Sequence, residues 1–99
     1  MHVDRWADSV VPDARDLRRR LEAEGFGVCQ WSDPPGRVYP PHAHADDQSH
    51  WIVSGVMALT IDGEEYVLGP GDRDFLPAGT VHSARVVSAE PVVYLIGSK

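Results

Sequence analysis

The chain has 99 residues, enough for one compact domain, and its shares of hydrophobic (42%) and charged (24%) residues are those of an ordinary globular protein. A formal net charge of -6 argues against nucleic acid and anionic membrane as partners, because both call for a basic footprint. Cys29 is the single cysteine, no apolar run approaches membrane-spanning length, and the opening MHVDRWADS lacks the basic and apolar regions of a secretory leader, so a cytoplasmic location is expected.

The first predicted element is a helix over residues 12–25. Pro12 suits its first turn, Asp13 and Asp16 favour the positive end of the helix dipole, and Arg18 to Arg20 favour the negative end. Gly25 supplies a C-terminal stop. Val10, Ala14, Leu17 and Leu21 share one face, which predicts packing against a sheet. The arginine run reads as a solvated face, and His2 lies at an end expected to fray.

From residue 26 the pattern turns to short runs of Val, Ile, Leu, Tyr and Trp punctuated by Gly, Pro and Asp. Strands are predicted over residues 26–32, 38–44, 48–54, 56–62, 65–68, 74–77, 82–88 and 92–96. Asp62-Gly63 marks a tight hairpin, with further turns at 70–72 and 77–80. Many short strands behind one helix predict an all-β barrel or double-sheet jelly roll. The expected layout is one domain over 1–99, with a helical segment at about 1–25 and a barrel at about 26–97.

Residues 40–51, PPHAHADDQSHW, hold three of the five histidines. His42 and His44 are two apart, so on an extended strand they point to the same side. Gln48 and His50 are also two apart, and His82 follows the turn at 77–81. If the strands pair, these side chains face one interior.

At these residues the chain resembles the cupin superfamily. Gly36, five residues, His42-Ala43-His44, three residues, Gln48, six residues and Gly55 is similar to the first cupin motif. Gly71, five residues, Pro77-Ala78-Gly79, two residues and His82 is similar to the second. The resemblance implies a cupin jelly roll, with the N-terminal helix packed outside and one divalent metal inside. It implies that His42, His44 and His82 hold the ion. Three imidazoles accept Zn, Fe, Ni, Mn or Cu, and leave positions open to a small-molecule substrate.

Two positions depart from the pattern. Val86 stands where an asparagine is usual and is expected to fill the barrel. Gln48 stands where glutamate is usual; its amide either ligates the metal without adding charge or bonds to bound water or substrate. His50 has inward parity and three readings: a fourth ligand, a general acid or base, or a buried neutral histidine bonded to a backbone carbonyl. Asp46 and Asp47 are expected to be solvated and Asp72 to serve a turn. Asp74 is expected to touch Arg73 or Arg85, or to cap the barrel. Trp51, of opposite parity to His50, should pack outside, against the helix or a partner subunit. Tyr39 and Tyr94 are candidates for the barrel mouth. Cys29 has two readings, an approach to the cavity from the first strand after the helix and a plain core thiol, of which the thiol in the core is the expected one. Ser49 should face away from His50, which weakens a Ser–His pairing.

The function expected from these residues is metal-dependent chemistry on a small organic molecule, of isomerase, lyase, cyclase or dioxygenase type. The alternative is a non-catalytic module that binds a small ligand or metal. A homodimer is expected to help a thin core.

Overall fold

In the computed structural model, which describes residues 1–99, helix α1 spans Ala14–Ala23. Asp13 caps it, its carboxylate accepting from the Arg15 backbone N–H at 3.1 Å, and Pro12 lies just before the cap. Leu17 and Leu21 are fully buried, as the apolar stripe requires. Val10 is not part of that stripe: it precedes the cap and is exposed.

There are nine strands, and all but the first follow the punctuation of the sequence: β1 His2–Asp4, β2 Gly27–Asp33, β3 Val38–His42, β4 Gln48–Ser54, β5 Met57–Ile61, β6 Glu64–Leu68, β7 Arg73–Phe75, β8 His82–Val86 and β9 Val92–Ser98. They form two antiparallel sheets, ordered β1-β7-β4-β9-β2 and β3-β8-β5-β6. This is the all-β jelly roll with a short helix outside. No helix is long and apolar enough to cross a membrane.

Alternation along each strand sorts the core. From β4 and β9, Ile52, Val92 and Tyr94 point between the sheets and pack with Met57, Leu68 and Val86. Val86 fills the barrel as expected. Trp51 and Leu95 point the other way and pack under Leu17, Leu21 and Phe26. The helix therefore covers the outer face of the five-stranded sheet, and Trp51 lies beneath it.

Arg73 fixes that helix. Its guanidinium lies 4.3 Å from the Trp51 ring centroid and 4.0 Å from that of Phe75. It donates to both Glu24 carboxylate oxygens, at 2.9 and 3.0 Å, and through Nε to Ser49 Oγ at 3.0 Å.

The N-terminus does not read as expected. His2 belongs to β1, an edge strand paired with β7, and its Nε2 lies 2.6 Å from Asp4 Oδ1. Three residues with a single apolar position, Val3, carry too weak a strand signal to be seen in sequence.

Gly55 ends β4 at φ +79°, and a Cβ there would lie 2.6 Å from both Pro91 O and Val92 Cα. Gly55→Ala is expected to destabilise the fold by roughly 2–4 kcal/mol, combining left-handed strain with overpacking against backbone. Gly63, at φ +78°, has nothing within 4 Å of such a Cβ, so Gly63→Ala should cost only about 1–2 kcal/mol. Chemical denaturation of the two variants checks the difference. Equal losses would show that the Pro91 contact is not the cause.

Candidate metal centre

The three motif histidines come together by two routes. His42 and His82 are direct cross-strand partners on β3 and β8. His44 lies beyond the end of β3: Pro40 and Pro41 supply no backbone N–H, and the strand is irregular between Tyr39 and His42. The predicted strand to residue 44 is therefore too long. The loop nevertheless returns the His44 ring to 4.9 Å from His42 and 5.1 Å from His82, between centroids.

One candidate ligand atom from each of the three rings lies within 4.8 Å of the others. His42 Nδ1 is 2.7 Å from Pro40 O, and His82 Nδ1 is 2.9 Å from Thr80 O. A ring nitrogen can only donate to a carbonyl, so both imidazoles carry their proton on Nδ1 and present the Nε2 lone pair. Two of three rings are thus already oriented as ligands. The three histidines can hold a metal ion.

The electrostatics favour the neutral, ligating form. The His44 pKa is lowered by burial and by neighbouring His82, His42 and His50, against a small upward pull from Asp46. His82 is also lowered, first by burial; His42 and His50 add to this, while the Thr80 carbonyl and Asp74 oppose it. Protons compete with metal only below a ligand's pKa. Proton competition at His44 and His82 should therefore stay weak as pH falls to the ordinary histidine value of 6.5 and weaken zinc binding at lower pH. Zinc titrations across that interval check the sign; a loss complete above it would contradict the lowered values.

Gln48 starts β4, its backbone paired both ways with Leu76 at 2.8 and 2.7 Å. Its side chain lines the same cavity, and its Nε2 donates to Ser98 Oγ at 3.3 Å. His50, one inward position further, is outside the trio, its ring 6.2 Å from that of His82. Its partner is a carboxylate and not a backbone carbonyl. His50 Nδ1 lies 3.0 and 3.1 Å from the two Asp74 oxygens, and the His50 backbone N–H donates to Asp74 Oδ1 at 2.6 Å. Burial pulls the His50 pKa down, but the charge and hydrogen bond of Asp74 prevail and raise it.

Asp74 thus meets neither Arg73 nor Arg85, which pair with Glu24 and Glu65. It points inward from β7 while Arg73 points outward. Ser49 faces away from His50, its hydroxyl donating to the Asp74 backbone carbonyl at 2.6 Å. Asp46 and Asp47 are exposed, and Asp47 accepts from the Ala78 N–H at 2.8 Å. Asp72 serves its turn, accepting from the Gly69 and Trp6 backbone N–H groups.

A cavity of about 360 Å³ runs from the histidines between the sheets. That is within the range of roughly 300–1,000 Å³ usual for small-molecule sites. Tyr39 and Tyr94 line it, as expected, together with Met57, Leu59 and Ile96. Cys29 is exposed on the cavity wall and is no core thiol, because β2 is an edge strand whose inner face is left open.

One buried group escaped the sequence reading. Asp33, at the end of β2, accepts from Tyr39 OH at 2.7 Å, Tyr94 OH at 2.8 Å and Trp31 Nε1 at 3.2 Å. Burial and then Asp33 raise the Tyr94 pKa well above its ordinary value, so this phenol remains a donor. Extending β2 by one residue would have given Asp33 the inward parity of Cys29 and Trp31.

A family model for the cupin domain matches residues 30–97. The chain belongs to the cupin family. This cupin is 41% identical over 70 residues to quercetin 2,3-dioxygenase of Bacillus subtilis (strain 168), covering 70% of the chain and 21% of that relative. It is 36% identical over 53 residues to dimethylsulfoniopropionate lyase DddQ of Ruegeria pomeroyi, covering 52% of the chain and 26% of the lyase. The chain thus spans about a fifth to a quarter of the length of these curated relatives. Among solved structures, the Ruegeria lyase superposes with a TM-score of 0.67 at 28% identity, covering 75% of this cupin and 38% of that chain. KdgF from a Halomonas species gives 0.64 at 28% identity, covering 75% and 69%.

Proposed function

We propose that this cupin is a metal-dependent enzyme acting on a small organic molecule, with His42, His44 and His82 as metal ligands and Gln48 beside them. The observation that carries the reading is the convergence of three imidazoles, two of them held with Nε2 inward by backbone carbonyls. The relatives' names, a dioxygenase and a lyase, support enzymatic chemistry of the kinds expected from sequence. A divalent ion there supplies Lewis acidity toward a carbonyl, enol or hydroxyl oxygen of the substrate.

The protein's own groups do the rest. His50 moves the proton at Nε2, because Asp74 engages Nδ1 and fixes both tautomer and ring orientation. Gln48 offers an amide oxygen and no charge, so three neutral imidazoles leave the ion's double charge undiminished. That favours redox-neutral isomerase, lyase or cyclase chemistry and Zn, Ni or Mn over oxidation of Fe.

The single cysteine suits a reducing compartment such as the cytoplasm, and exposed Val38, Val67 and Val81 suit a homodimer of single-domain chains. The test is elemental analysis of untagged protein beside the His42→Ala/His82→Ala variant. About one equivalent of metal in the wild type and none in the variant is the expected result. Protein that stays empty when offered each divalent ion would sink the reading.

A further inference from the structure

Trp31 occupies an unusual position. It alternates inward on β2 with Cys29 and Asp33 and stands opposite Tyr94 on β9. It lines the cavity that holds the histidines, yet 52% of it is exposed. An inward tryptophan half open to solvent has an uncovered ring face at the cavity mouth. The ring is not free to leave: its Nε1 donates to Asp33 Oδ1 at 3.2 Å. The same carboxylate accepts hydrogen bonds from the hydroxyl groups of Tyr39 and Tyr94.

This arrangement sets the chemistry of the wall. All three polar tips are tied to Asp33, so the rings offer the cavity aromatic surface while their donors are already engaged. Met57, across the cavity, adds a polarisable thioether that suits an aromatic partner. The imidazoles line the same cavity, the His42 ring 6.3 Å from Tyr39 and the His50 ring 6.0 Å from Tyr94. One cavity therefore combines a histidine cluster with aromatic walls.

We propose that Trp31 is a specificity-determining residue, a platform selecting ligands that join a flat aromatic body to a pair of metal-binding oxygens. The proposal rests on the metal reading above for the ligand's head, and on Trp31 for its body.

Hydroxamates separate the two parts, because one chelating head can carry different bodies. The zinc-loaded protein is titrated with acetohydroxamate, cyclohexanecarbohydroxamate and 2-naphthohydroxamate. The naphthyl compound should bind about tenfold tighter than the cyclohexyl one, the size of a good aromatic stacking contact. Trp31→Ala should reduce that preference to within about twofold, and Trp31→Phe should keep most of it. Acetohydroxamate, whose body is a single methyl group with no aromatic face to stack, should bind all three proteins alike. A preference that survives in Trp31→Ala overturns the proposal. So does a Trp31→Ala variant whose only change is a lower mass in sedimentation, which would make the ring a contact between copies. If acetohydroxamate fails to bind, the metal reading falls. The platform then stands only if the naphthyl compound still binds and Trp31→Ala releases it; otherwise it falls too.

Discussion

Replacing His82 by alanine is expected to lower zinc affinity by more than ~100-fold. Loss of a hydrogen bond that merely orients a ligand costs about 10–100-fold in metal affinity, so loss of the ligand itself costs more. His82 is the most buried of the three histidines, 4% exposed, and its ring is fixed by Thr80 on one side and faces His42 on the other. Gln48→Ala should have a smaller effect, because an amide contributes no charge. Gln48→Glu should tighten zinc binding by adding a negative charge to the ligand set. A chelator-competition titration ranks the variants, with thermal unfolding in chelator as the control for folding. Wild-type affinity in His82→Ala would remove His82 from the site.

Asp74→Ala is expected to be among the most destabilising single changes in the molecule, at about 3–5 kcal/mol. The Asp74 side chain is 1% exposed, and it accepts from both the backbone N–H and the ring of His50. No arginine shares it. Removing the carboxylate leaves a buried backbone donor and a buried imidazole without their acceptor. Against a total of about 5–15 kcal/mol for a domain, such a loss unfolds a large fraction of the protein. Asp74→Asn retains one acceptor for the backbone N–H and should lie between alanine and wild type. Urea denaturation of the three proteins gives the order; a loss below 1 kcal/mol in Asp74→Ala would show that water replaces the carboxylate.

The parts legible in sequence are those set by local chemistry. Strand alternation and turn residues gave β4 with its observed bounds and β2, β3 and β5 to β9 within a few residues, because each strand has one buried face. Parity placed Trp51 outside, where it packs under the helix, and kept Ser49 away from the His50 ring. The parts not legible depend on which strands are neighbours. Asp74 finds His50 only because β7 lies beside β4, and no local rule ranks that histidine above Arg73 next door or Arg85 on β8. Asp33 sits before Pro34-Pro35-Gly36, which reads as a turn. The long pairing of β2 with β9, through Asp33 opposite Val92, keeps it in the strand. His42 and His44 met as the spacing implied, though by a strand end and a loop rather than along one strand.

Strand β7 is only three residues long, yet its two faces serve different layers. Arg73 is clamped by Glu24 just beyond the helix, while Asp74, the next residue, holds the imidazole that faces the cavity. Rotation of this short strand cannot loosen one grip without turning the other. The far side of the sheet is thus geared to the His50–Asp74 pair, and amides of α1 and of the His50–Asp74 contact should exchange with deuterium as one cooperative unit. A substitution at Glu24, remote from the three clustered histidines, would then register first in the orientation of His50.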